Sequence, residues 1–147
     1  MTGYVVDASV AVKWLVEEDH SDEAIGLLDG GSRLVAPALL FAEAANALWA
    51  MHRRGEISAD DMSDAVDTLR AAPVSLPTPM LELAAAASRL GTDLGHPVYD
   101  CFYLALAIQT QYPVVTADQR FHDKVRSHPY LSDRIVHVAQ APPRARA

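Results

Sequence analysis

The chain has 147 residues, half of them hydrophobic, with Lys+Arg 12 against Asp+Glu 19 and a formal charge of -7. One domain with a single packed core is expected at this length, and an overall field that repels polyanions excludes capture of nucleic acid by a generally basic surface. The lone cysteine, Cys101, excludes an intrachain disulfide or a cysteine-rich zinc site, and the absence of a signal-peptide pattern in MTGYVVDASV or of any apolar run near ~20 residues predicts a soluble cytoplasmic protein without membrane contact.

In chain order, GYVV at 3–6 is a short apolar run ending at Asp7 and predicts a buried strand that feeds a helix through VAVKWLVEE. The next helix is expected over 20–28, capped by Ser21 and ended by Gly30 and Gly31. RLVA at 33–36 predicts a second strand. Pro37 then stands where a first helical residue tolerates proline, and ALLFAEAANALWAMHRR carries a helical apolar stripe. Gly55 separates this helix from one over 59–71, in front of which Ser58 and Asp61 form a capping-box pattern; the two make a helical hairpin. PVSLP at 73–77 predicts a third short strand, Thr78 and Pro79 cap and open an alanine-rich helix to about Leu90, and GTDLGHP at 91–97 is expected as a loop.

VYDCFYLALAIQTQ at 98–111 is apolar around most of its circumference, the mark of a helix buried against a sheet. PVVTAD at 113–118 repeats the strand-then-acid pattern of the N-terminus. A short helix with Phe121 and Val125 and a last strand, RIVHV at 134–138, complete a single domain over 1–140. The tail APPRARA, 141–147, lacks apolar content and is expected to be disordered. Strands alternating with helices imply an α/β fold with a central parallel sheet of about four to five strands between helix layers. In such sheets ligands bind beyond the carboxyl ends of the strands, where Asp7 and Asp118 would lie.

Most acids, among them Glu17, Glu18, Asp19, Asp22 and Asp60, sit among polar neighbours and read as solvated surface. Four differ because their neighbours are apolar: Asp7 in VVDASV, Glu43 in FAEAAN, Asp100 in VYDCFY and Asp118 in VTADQR. A carboxylate in such surroundings is costly unless paired, hydrogen-bonded or bound to a cation. Asp7 and Asp118 could simply cap the helices that follow, and Asp100 could stabilise the positive end of its helix. Glu43 lies inside an apolar helix and has no such explanation. Together the four suggest a site. Carboxylates crowded in one cleft repel one another, and a divalent cation resolves the conflict. Oxygen-only ligands suit Mg2+ or Mn2+ and fit zinc poorly. Such ions reverse the local sign where a phosphate would sit and activate water for attack on a phosphodiester.

In order and spacing, VVDASV, the mid-helix acid of FAEAANAL, YDCFYLALA and VVTAD resemble the motifs of PIN domains, and most closely those of VapC-type toxins of bacterial toxin-antitoxin pairs. The resemblance runs from Tyr4 to about Val138, and YDCFYLALA with VVTAD is its most specific part. It implies a PIN-like three-layer α/β/α sandwich, a metal-dependent endoribonuclease acting on single-stranded RNA, a small cognate antitoxin and a homodimer. It assigns all four acids to the Mg2+ or Mn2+ site, with Asp7 and Asp100 as direct ligands, Asp118 next and Glu43 acting through water. Ser9 and Thr116 match the small polar positions beside Asp7 and Asp118.

Asn46, one turn after Glu43, is a candidate to support that carboxylate. Lys13, Arg120 and Lys124 are candidates for contact with the RNA backbone, while His52, Arg53 and Arg54 read as cations at a helix C-terminus. Trp14, Trp49, Phe102, Tyr103 and Cys101 read as core or interface, and no histidine falls in a metal-ligand spacing. A haloacid-dehalogenase phosphatase would need an acid where Ser9 stands. The remaining alternative is a catalytically silent PIN-like module that binds RNA or protein.

Overall fold

A computed structural model describes residues 2–141 of the chain. Strand β1 (Gly3–Val6) leads into helix α1 (Ala8–Leu15), followed by α2 (Ser21–Gly26), β2 (Arg33–Val35), α3 (Leu39–Arg53) and α4 (Ala59–Arg70). Then come α5 (Met80–Leu94), α6 (Val98–Thr110), β3 (Val114–Thr116), α7 (Gln119–Arg126) and β4 (Ile135–His137). The four strands are all parallel in the order β2-β1-β3-β4, with Val5 opposite both Val35 and Val114, and Thr116 opposite His137. Helix layers complete the α/β/α sandwich expected from the alternating pattern.

Buried valines hold the sheet: Val5, Val6, Val114 and Val115 are fully enclosed, because strands covered on both faces expose neither side to water. Helix α6 lies against β1 and β3 and packs along α5, burying Leu104, Leu106 and Tyr103 completely. The continuous apolar surface of 98–111 anticipates that position. Ala141, at the end of the described residues, is also buried in the core; positions 142–147, the rest of the segment expected as a disordered tail, lie outside the described residues.

Several boundaries differ from the sequence reading. PVSLP forms a single bridge, Ser75 to Val35, rather than a strand, since Pro73 and Pro77 lack the N–H that a ladder needs. Helix α1 stops at Leu15, well short of Glu18, because the hydroxyl of Ser21 accepts from the Glu18 N–H and donates to the Val16 carbonyl. Ser21 is thus the first residue of α2 and clamps the preceding turn, rather than capping its helix. Pro37 lies before the start of α3, and its carbonyl receives the Leu40 N–H. The capping box of Ser58 and Asp61 forms as expected.

The segment 91–97 is not all loop. Helix α5 continues to Leu94, and Gly95 closes it in the left-handed conformation at φ 60, with the His96 N–H returning to the Gly91 carbonyl. A Cβ at Gly91 would stand 2.9 Å from Val98 Cγ2, so glycine there lets α6 begin directly against α5. This close turn sets the position of Asp100. The strand order reverses between β1 and β3, which places a crevice beyond their carboxyl ends, and Asp100 lines it.

Candidate active site

Asp7 follows β1 and caps α1: its Oδ1 accepts from the Val10 N–H at 3.3 Å and from the Ser9 hydroxyl at 2.5 Å. Asp118 follows β3 and caps α7, where its Oδ1 accepts from the Phe121 N–H at 3.1 Å. The capping role and a site role are therefore compatible, because each cap uses Oδ1 and leaves Oδ2. Ser9 links the two strand ends: its hydroxyl accepts from the Ala117 N–H at 2.9 Å and touches Thr116 Oγ1 at 3.4 Å. Thr116, fully buried, accepts from the Asp118 N–H at 3.0 Å.

Glu43 comes from the middle of α3, and its partner is the Tyr103 hydroxyl, which donates to Oε1 at 2.7 Å. Asp100, in the first turn of α6, holds His96 Nε2 at 2.6 Å from its Oδ2. Asp7, Glu43, Asp100 and Asp118 all line one open cleft of about 450 Å³, together with Ser9, Lys13 and Tyr103. Four elements distant in sequence thus bring the four acids together.

Two of the cleft carboxylates, Asp7 and Glu43, are poorly solvated. Burial pushes the Asp7 carboxyl up to about 7 from its usual 3.8, against the pull of the Ser9 and Thr116 hydroxyls, and the Asp100 charge adds to the rise. Glu43 is also raised, first by burial and then by Asp100, with the Tyr103 hydroxyl opposing. Tyr103 is held firmly in its neutral, donating form by burial and by Glu43. Burial raises the Cys101 thiol to about 11, so it is an inert core group rather than a nucleophile.

Asp7 and Glu43 resist ionisation in the bare protein, and a cation in the cleft would lower both. An all-carboxylate set with two hydroxyl neighbours suits a hard divalent ion. Among the described residues, no three His, Cys, Asp or Glu side chains lie close enough to enclose one ion directly. The acids therefore fit an ion that keeps part of its water shell, as Mg2+ does. Asp7, Glu43, Asp100 and Asp118 line the cleft and could each offer an oxygen to such an ion, directly or through water.

Other expected residues fare differently. Ser9 and Thr116 stand beside the acids as anticipated. Asn46 is exposed and outside the cleft; Tyr103, read as core, is the group that supports Glu43. Lys13 lines the cleft but is buried, with its ammonium on the Asp19 carbonyl at 2.6 Å and Glu18 at 3.1 Å. Arg120 and Lys124 are exposed on α7 and do not line it. Glu18, read as a surface acid, is a wall of the cleft because α1 ends early and the chain turns back on Lys13. His96 was not singled out by sequence; a histidine four residues before an acid, next to a helix-ending glycine, is the signal that marks it.

Comparison with known proteins bears on the family and the fold. A family model for the PIN domain matches residues 4–126. The chain is 32% identical over 124 residues to Ribonuclease VapC3 of Pyrobaculum aerophilum, a match that spans 82% of this chain and 92% of that protein. In fold it is similar to PAE2754 from Pyrobaculum aerophilum, with a TM-score of 0.64 and 24% identity over 94% of this chain and 85% of the other. It is similar also to a structure of VapBC2 from Rickettsia felis bound to a promoter DNA fragment, with a TM-score of 0.63 and 13% identity over 91% and 97% of the two chains. Motif order, sheet topology and these likenesses lead to one assignment: the chain belongs to the PIN domain family and is of the VapC type.

Proposed function

We propose that the chain is the toxin of a toxin-antitoxin pair, a Mg2+- or Mn2+-dependent endoribonuclease that hydrolyses RNA phosphodiesters in the cleft between Asp7, Glu43, Asp100 and Asp118. The observation that carries the reading is the gathering of these four acids, from four separate elements, on one solvent-open cleft. The likeness to a ribonuclease named VapC3 supports RNA as the substrate, and the fold shared with a VapBC complex agrees with a small cognate antitoxin.

A bound divalent ion would supply the electrophile for a phosphate oxygen and lower the pKa of attacking water. The chain's own residues set the stage for it. Ser9 fixes the orientation of Asp7 and, through the Ala117 N–H, its separation from Asp118. The Tyr103 hydroxyl holds one oxygen of Glu43 and leaves the other to bind or orient water. Lys13 is the cation on the cleft wall, and Glu18 balances it. With a formal charge of -7, the molecule then concentrates its affinity for a polyanion at the ion-lined cleft.

Such a cleft can be silenced by a partner that covers it and pairs a basic side chain with the acids. The exposed Phe41, Trp49 and Val66 of the α3–α4 hairpin, and an apolar depression of about 530 Å³ around Trp14, Leu15 and Leu28, offer surface for an antitoxin helix. Leu81, Tyr99 and Ile108 on α5 and α6 are exposed apolar residues available to a homodimer, and the proposed site of action is the cytoplasm.

The test is cleavage of single-stranded RNA by purified, antitoxin-free protein. Activity should require Mg2+ or Mn2+, vanish with EDTA and be lost in Asp7→Asn and Asp100→Asn. Expression of the wild type alone should arrest bacterial growth, and co-expression of the neighbouring small open reading frame should relieve it. Wild-type cleavage rates in either variant would refute the site; normal growth with soluble wild type present, in a host that makes no such partner, would refute the toxin role alone.

A further inference from the structure

His96, the partner of Asp100, is almost wholly enclosed, with a side chain only 3% exposed, against 27% for Asp100. Its ring lies stacked on Phe121, centroids 5.1 Å apart and planes at 20°, which fixes the plane of the imidazole. Nε2 stands 2.6 Å from Asp100 Oδ2, while Nδ1 is buried with no hydrogen-bond partner. A proton on Nδ1 would be a buried donor with nothing to receive it, a cost of about 1–3 kcal/mol. The ring proton therefore belongs on Nε2, where it is donated to the carboxylate.

Resting on the functional reading above, we propose that His96 is a positioning residue: its Nε2–H holds Asp100 Oδ2 so that Oδ1 is the oxygen presented to a divalent ion in the cleft. The backbone is arranged to the same end. Gly91 and Gly95 allow the turn that tucks His96 behind Asp100, and Phe121, in α7 just after Asp118, supplies the face on which the ring rests. One aromatic contact thereby couples the Asp100 side of the cleft to the helix that Asp118 caps. A pair serving only to stabilise the α5–α6 turn would not need a ring with a bare buried nitrogen; the geometry is that of a donor aimed at a metal-site carboxylate.

The experiment compares wild type, His96→Phe and His96→Gln in the full-length protein. Phenylalanine keeps the stack and loses the donor; glutamine loses the ring but can place an N–H close to the position of Nε2. Titration calorimetry with Mn2+ alone should show affinity reduced about 10- to 100-fold in His96→Phe. His96→Gln should stay within about three-fold of the wild type. In metal-free wild type, nitrogen-detected NMR of the imidazole should show the Nε2-protonated tautomer. Wild-type Mn2+ affinity in a folded His96→Phe, an equal loss in both variants, or an Nδ1-protonated ring would each overturn the proposal while leaving the nuclease reading in place. If the wild type binds no Mn2+ at all, both fall.

Discussion

Replacing Asp7 by Asn should make the metal-free protein more stable and inactive at once. Folding raises the Asp7 carboxyl from 3.8 to about 7, chiefly by burial, so the folded chain binds its proton more tightly than the unfolded chain does. This residue's contribution to stability is complete below pH 3.8 and is lost as the pH rises through 7. At about 1.4 kcal/mol per pH unit, that gap makes an ionised Asp7 a burden of about 4 kcal/mol at pH 8.5. The Asn side chain can still accept from the Ser9 hydroxyl and the Val10 N–H, and carries no charge to desolvate. Thermal and urea unfolding in EDTA should therefore find Asp7→Asn more stable by up to about 4 kcal/mol at pH 8.5, or about 10 °C in Tm for a domain of this size. The two proteins should converge near pH 4. Saturating Mn2+ should raise the wild type selectively, by about 2.7 kcal/mol at 100 times the dissociation constant. Equal stabilities at pH 8.5, or an advantage that persists unchanged at pH 4, would refute the reasoning, the first by removing the charge penalty and the second by assigning the gain to packing.

Ser9→Ala removes the donor to Asp7 and the acceptor of the Ala117 N–H, so stability should fall by about 1–3 kcal/mol and RNA cleavage by about 10- to 100-fold. Because the Ser9 bond lowers the Asp7 carboxyl, the alkaline shift of the pH–rate profile in this variant is a further check. Tyr103→Phe keeps the buried ring but releases Glu43, whose carboxyl should rise further; a loss of about ten-fold in kcat with about 1 kcal/mol in urea unfolding is expected. Glu18→Gln removes the negative charge beside Lys13 while the Asp19 carbonyl still holds the ammonium, and KM for RNA should drop about two- to five-fold at low salt, less at high salt, with Glu17→Gln as the silent control.

The sequence by itself carried the parallel α/β architecture and the four acids. Both signals are local: an apolar strand run ending in an acid at Asp7 and Asp118, and an acid in otherwise apolar helix surroundings at Glu43 and Asp100. Burial of a carboxylate is costly enough to be visible in its neighbours. What the sequence could not settle was which groups support those acids. Asn46, a helical neighbour of Glu43, is exposed, and the supporting hydroxyl comes from Tyr103, 60 positions along the chain, on a helix packed against β1 and β3. Glu18 and Lys13 looked like surface charges until the early end of α1, fixed by Ser21, folded them onto the cleft. PVSLP had strand composition, yet its prolines allow only one bridge. His96 gained its role from a ring contact with Phe121 and a helix-ending turn, neither of which has a periodic trace. Periodicity and composition report what each segment must bury, whereas hydrogen-bond partners far apart in sequence are chosen only when the packed helices and strands bring them within about 3 Å.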